Sequence, residues 1–158
     1  DNRNAYHNMA REIIDVLGKN IDEFIMGVGT GGCFSGNSEI FKKEIPNIRC
    51  IPIEPLNVRA LSGGDISGTH KLEGIGAGFV PSICRLDLAD EIMSVSDEDA
   101  RETARKLARL EGIFGGTTSG ANVWAAIQRA RIIGAGKRIV TVIVDSGLKY
   151  LNGDLYKF

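Results

Sequence analysis

The sequence predicts an α/β fold: a three-layer arrangement around a mostly parallel sheet. Three observations carry this expectation. Short apolar runs, such as residues 24–28, are continuous and not alternating, as in strands buried on both faces. Segments with helical apolar spacing separate those runs. Glycines gather where a run ends and a helix begins, the place where parallel sheets expose backbone to ligands.

Tyr6, Met9, Ala10, Ile13, Ile14 and Leu17 recur at helical spacing up to Gly18, which predicts a first amphipathic helix. A strand follows over 24–28, then a second helix from about Ser35 to Lys43. The run 48–54 reads as another buried strand. Pro52 lies inside it, and proline has no amide donor, so an edge position or a bulge is expected there. From Pro55 to Pro81 no period is sustained, and glycines 63, 64, 68, 74, 76 and 78 punctuate a long loop of the kind that is usually functional. Residues 92–95 form a brief strand. Ser96 then precedes Asp97, Glu98 and Asp99, an N-cap with acids where the helix dipole favours them, and Ala100, Thr103, Ala104, Leu107 and Leu110 mark a buried face up to Gly112. Val123, Ala126, Ile127 and Ala130 define a further helix ending near Gly134, and the β-branched run 139–144 is the last strand.

Composition narrows the classes of function. The 158 residues suffice for one domain, and 19 basic against 20 acidic residues leave a net charge of -1, with no cationic surplus for nucleic acid or an anionic membrane. No apolar run approaches the roughly 18 residues that span a bilayer, and Asp1 opens a polar segment and not a signal peptide, so a soluble cytoplasmic protein is expected. Cys33, Cys50 and Cys84 are too widely spaced for a metal or redox pair motif, and His7 and His70 have no ligands arranged around them, so no metal is expected. Glycine is the outlier. Twenty glycines in 158 residues is nearly twice the usual share of about 7%, with only 4 prolines beside them.

In the segment from Gly27 to Gly36 (GVGTGGCFSG) a strand gives way to a helix within a few residues. Only small residues let backbone amides close on an anion there, and the helix N-terminus adds a favourable dipole, so the segment reads as a phosphate cradle. Gly27, Gly29 and Gly32 also satisfy G-x-G-x-x-G, and Glu54 follows Gly32 at about the distance of a ribose-binding acid, so a nonenzymatic Rossmann-type nucleotide-binding module is an alternative. A Walker A loop is excluded because Asn37 follows Gly36 where lysine is required. Three further segments have no role in a dinucleotide fingerprint: HKLEGIGAGFVP from His70, EGIFGGTTSGAN from Glu111 and DSGLKYL from Asp145.

Taken together, GVGTGG, EP before LSGG, HK before GIGAGF, EGI before TSGA and the final SGLKYL resemble the cysteine synthase (O-acetylserine sulfhydrylase) family of fold-type II pyridoxal-phosphate enzymes. The resemblance implies an incomplete tryptophan synthase β-like fold, with residues 1–158 forming the C-terminal part of the large cofactor-binding domain. It implies pyridoxal 5'-phosphate as cofactor, its phosphate cradled by Gly29, Thr30, Gly31, Gly32 and Cys33, where Cys33 replaces a family threonine. Ser119 matches the second serine of the family's serine-serine-glycine-alanine turn, whose hydroxyl bonds the pyridine nitrogen, and Thr118 replaces the first. Gly74 matches a glycine whose backbone lies beside the cofactor and moves on closure; Glu73 replaces a glutamine.

The implied reaction is β-replacement, O-acetyl-L-serine plus sulfide giving L-cysteine and acetate through an aminoacrylate, with cystathionine β-synthase or a related serine-derivative enzyme as the alternative. A cytoplasmic homodimer is implied, with the C-terminal tail of serine acetyltransferase as a further partner. The lysine that holds the cofactor belongs, with the substrate-carboxylate loop, to the family's N-terminal half. None of Lys19, Lys42, Lys43, Lys71, Lys106, Lys137, Lys149 or Lys157 matches it. No catalytic residue is therefore assigned within the chain, which alone is expected to be inactive. A smaller N-terminal domain is expected outside it, as is an exposed sheet edge.

Overall fold

Residues 2–157 are described in the computed structural model, and Asp1, the start of the polar opening segment, lies outside them. Strands β1 (Glu23–Gly27), β2 (Arg49–Pro55), β3 (Met93–Val95) and β4 (Ile139–Val140) form an all-parallel sheet in the order β3-β2-β1-β4. A short helix α1 (Asn2–Ala5) leads into α2 (His7–Leu17), and α3 (Gly32–Glu44) joins β1 to β2. After β3 come α4 (Asp97–Lys106), which continues as a π-helical turn over Leu107–Glu111, and α5 (Thr117–Ile133). No helix among the described residues is long and apolar enough to cross a membrane.

The continuous apolar strands divide their side chains between two helical layers. Phe24, Met26 and Cys50 pack with Ala10 of α2 and Phe34 and Phe41 of α3. Ile25, Ile51, Ile53 and Val95 pack with Ala100 of α4 and Ala121 and Ala125 of α5. The three-layer α/β architecture follows from this period-two division. On the first face Phe24 and Phe41 meet edge to face with centroids 4.9 Å apart.

Several elements differ from the sequence expectation. Helix α3 starts at Gly32 and not near Ser35, because Gly31 takes a left-handed backbone (φ +87°) that ends the turn early. Helix α5 begins at Thr117, six residues before Val123, so the hydroxyl-rich segment is its first turn. Strand pairing stops at Val140, short of 144, because beyond it the partners are side chains: Thr141 Oγ1 donates to the Ile25 carbonyl at 2.8 Å and Asn122 Nδ2 to the Val142 carbonyl at 2.8 Å. Pro52 occupies a central strand with no bulge. Cys50 turns its amide and carbonyl toward Asp90, on the β3 side. Pro52, two residues on, faces the same way, and β2–β3 pairing begins only at Ile53. Its missing donor therefore falls ahead of the ladder.

At the amino end of the sheet, opposite the glycine loops, β1 opens on a buried carboxylate. Glu23 is 1% exposed and Arg129 of α5 is 4% exposed. Arg129 grips both Glu23 oxygens (Nη2–Oε1 2.5 Å, Nε–Oε2 2.9 Å) and reaches Glu91 with Nη1 at 2.9 Å. Arg49 closes the network at 2.9 Å from Glu91. Removing one member leaves an uncompensated buried charge, so Arg129→Met is expected to destabilise by about 3–5 kcal/mol. Adding Glu23→Leu should recover much of that loss in the urea midpoint. If the double variant is no better than Arg129→Met alone, stranded charge is not the cause.

Candidate active site

The site forms where β1 stops. Gly27 donates its amide to Asn122 Oδ1 at 2.8 Å, and the chain turns through Gly29, Thr30 and Gly31 into α3. A Cβ at Gly29 would lie 2.2 Å from the Gly74 carbonyl oxygen, and one at Gly31 2.5 Å from the Cys84 Cβ. Neither position admits a side chain. The loop around Gly74 thus rests directly on the glycine turn, fastened by the Gly76 amide donating to the Val28 carbonyl at 3.1 Å.

Amides in the first turn of α3 have no intrahelical carbonyl to meet, and with the helix dipole they suit an anion. Thr30 Oγ1 accepts from the Gly32 amide at 3.3 Å, which leaves its own proton uncommitted by that bond. Burial pushes the Cys33 thiol up to about 11, against the opposing hydrogen bond from Asn37. Cys33 is therefore a neutral thiol and not a thiolate that would repel an anion.

A cavity of about 580 Å³ opens over this turn. Its wall takes in Gly29, Thr30, Gly31 and Cys33, then Glu73 and Gly74 of the loop, Thr118 of α5, and Val144, Asp145 and Lys149 beyond β4. Met26, Ile75 and Val142 supply apolar surface between these polar ends. Another groove, of about 540 Å³, runs along α4 and α5 and includes none of the glycine turns.

The far wall is the amino end of α5, which Asp145 closes. Its Oδ1 accepts from the amides of Gly116 (3.1 Å) and Ser119 (2.9 Å) and from the Ser119 hydroxyl (2.5 Å). Its Oδ2 accepts from the Thr118 amide (3.2 Å) and the Tyr150 hydroxyl (2.8 Å). Burial pushes this carboxyl up, but the hydrogen bonds, led by those from Ser119, outweigh it and hold Asp145 below the ordinary carboxylate range.

Gly29, Thr30, Gly31, Cys33 and Gly74 are brought together on one wall, whereas Gly32 lies just behind it, against Asn2. Ser119 does not reach the cavity. It is fully buried; its hydroxyl donates to Asp145 and accepts from the amides of Val144 (3.0 Å) and Asp145 (3.2 Å). Thr118 stands on the wall instead, its hydroxyl donating to the Glu73 carbonyl. Successive helical residues project roughly 100° apart, so a shift of one position exchanges a cavity-lining residue for one turned away from it. Asp145 and Lys149 lie in the DSGLKYL segment that the sequence singles out, but neither was assigned a place in the site. The acid directly after a β-branched run was the available signal, but its partners on α5 lie 26 or more residues earlier. Glu54, the acid of the dinucleotide alternative, is 1% exposed and accepts from the Leu61 amide (2.6 Å) and the Ser62 hydroxyl (2.5 Å). It closes a loop and presents nothing to a ribose.

These features fit a phosphorylated aromatic cofactor: a turn that Cβ atoms would fill, first-turn amides at one end, apolar walls, and a hydroxyl at the other end. Because the folded Asp145 carboxyl lies below its unfolded value, the stability it contributes is present above the ordinary carboxylate pKa and is lost as pH falls through the folded one. Asp145→Asn should therefore lower the thermal midpoint near neutrality and flatten the acid limb of the stability profile. An acid limb as steep as that of the parent would refute this account.

Residues 1–145 match the family model described as "Pyridoxal-phosphate dependent enzyme". A cysteine synthase of Staphylococcus aureus is 48% identical over 141 residues, covering 89% of this chain and 45% of that protein. The structure of a cysteine synthase from Entamoeba histolytica superposes with a TM-score of 0.95 at 35% identity, covering 99% of this chain and 46% of that one. An O-acetylserine dependent cystathionine β-synthase from Helicobacter pylori gives 0.93 at 36% identity, covering 99% and 51%. The chain spans about half the length of the relatives it matches. The parallel α/β fold is thus shared with these structures, and the chain belongs to the pyridoxal-phosphate dependent enzyme family.

Proposed function

We propose that the intact protein is a cysteine synthase-type enzyme that uses pyridoxal 5'-phosphate to convert O-acetyl-L-serine and sulfide into L-cysteine and acetate. The observation that carries this reading is the cavity in which the Gly29–Gly31 turn, the Gly74 loop and the start of α5 meet. The first-turn amides of α3 and the Thr30 hydroxyl bind the phosphate, and neutral Cys33 sits beside it. Thr118, on the far wall, gives its proton to the Glu73 carbonyl and would present its hydroxyl oxygen as an acceptor at the pyridine end, while Ser119 holds Asp145 and the first turn of α5 in place. Bound pyridoxal phosphate supplies the electron sink that lets acetate leave the β-carbon.

This chain contributes binding and orientation; the lysine and the smaller domain belong to the remainder of the protein. In support, the groove between α2 and the open edge of β4 carries exposed apolar residues, with Val16 81% and Ile143 43% exposed, as expected of a face that further chain covers. The proposed working form is a cytoplasmic homodimer, with the serine acetyltransferase tail as a candidate partner.

The intact protein reconstituted with pyridoxal phosphate should show a visible absorption band that changes on adding O-acetyl-L-serine, and it should release acetate when sulfide follows. No band, or no change, overturns the reading. Gly29→Ala should weaken cofactor binding by about ten-fold or more, since its methyl collides with the Gly74 carbonyl. Thr118→Val should alter the band more than Ser119→Ala does; the reverse order would return the ring-facing role to Ser119.

A further inference from the structure

The loop that carries Glu73 and Gly74 over the glycine turn is closed by the side chain of His70, a residue to which the cofactor reading gives no role. Its Nδ1 accepts from the Leu72 amide at 3.2 Å, so the proton of the neutral ring sits on Nε2, which donates to the Gly76 carbonyl at 3.0 Å. One imidazole therefore spans the segment from Leu72 to Gly76, with Glu73 and Gly74 at its apex. The imidazole is seated against bare backbone: a Cβ at Gly76 (φ +74°) would lie 2.8 Å from Nε2. The feet of the loop are fastened without it, by Leu72 at 1% exposure, by the Lys71 amide donating to Asp97 Oδ2 at 2.8 Å and by the Gly76 amide on the Val28 carbonyl. The apex has less to hold it. There the Glu73 side chain meets Lys149 Nζ at 2.7 Å at the cavity rim, an exposed pair that salt screens, and the Glu73 carbonyl takes the proton of the Thr118 hydroxyl.

We propose that His70 is a positioning residue for the pyridine end of the cofactor: through the Gly76 carbonyl it fixes the height of the apex, and through the Glu73 carbonyl it fixes the direction of the Thr118 proton. The inference rests on the cofactor reading above and deepens it. His70 stands outside the cavity lining and acts only through the loop. A hydroxyl turns freely about its C–O bond unless an acceptor holds its proton. With the Glu73 carbonyl in place, Thr118 keeps an oxygen lone pair toward the cavity. With the apex displaced, the same hydroxyl turns its proton to the cavity and changes from acceptor to donor. Protonation of a ring nitrogen follows the partner it meets, so the change is readable in the visible band.

Three substitutions divide the two bonds. His70→Leu removes both; His70→Asn keeps an oxygen where Nδ1 accepts but is too short for Gly76; His70→Gln keeps an amide donor where Nε2 stood. In the intact protein loaded with pyridoxal phosphate, His70→Leu should shift the visible band and weaken cofactor binding about ten-fold, His70→Gln should return both to within about two-fold of the parent, and His70→Asn should not. His70→Leu is then combined with Thr118→Val, which has no hydroxyl to turn. There it should leave the band where Thr118→Val alone puts it. Should His70→Leu fail to fold, the contrast between His70→Gln and His70→Asn carries the same decision. An equal band shift with and without the Thr118 hydroxyl, or a His70→Gln band no nearer the parent than that of His70→Asn, would overturn the role of His70 alone, provided the parent band still responds to O-acetyl-L-serine. A parent protein without the band would overturn the cofactor reading and this role together.

Discussion

Asn122 holds the architecture at the point where function is assembled. Fully buried in the first turns of α5, it accepts the amide that ends β1 and donates to the Val142 carbonyl past the end of β4. One side-chain amide thereby joins a helix, the central strand and the segment that runs on to Asp145. A buried group of this kind contributes through complete satisfaction: an apolar replacement would leave a strand-end amide and a carbonyl without partners in a dry interior. The position of α5 relative to the glycine turn, and with it the width of the cavity, depends on these bonds.

The two ends of the sheet use charge differently. At the amino end, Glu23, Arg129, Glu91 and Arg49 pair among themselves. At the carboxyl end, two helix termini converge on one cavity and are treated unequally. The start of α3 is lined by glycine, hydroxyl and neutral thiol, while Asp145 occupies the start of α5. An anion entering the cavity therefore meets one favourable end and one already neutralised, which sets a direction for a molecule carrying phosphate at one end and a ring at the other.

The layer order, the parallel sheet and most helix positions were legible from the apolar runs and their spacing, because each apolar face must be buried against a neighbour. The glycine turn was legible as well: only a backbone barred from carrying Cβ explains Gly29 and Gly31 so close together. Pro52 misled the local reading, since its tolerance depends on which neighbour its missing donor faces. Ser119 and Thr118 were separable only in three dimensions, because either residue type serves at a helix start.

By itself, then, the sequence determined the fold class, the glycine turn between β1 and α3 and the family resemblance, all properties of local pattern and residue type. Tertiary structure alone decided which hydroxyl-bearing residue lines the cavity, that Asp145 closes α5, and that Glu73 meets Lys149 at the rim. The reason is distance along the chain. Each of the inter-element contacts at the cavity joins segments tens of residues apart, and their geometry exists only once the sheet and its two helical layers have packed.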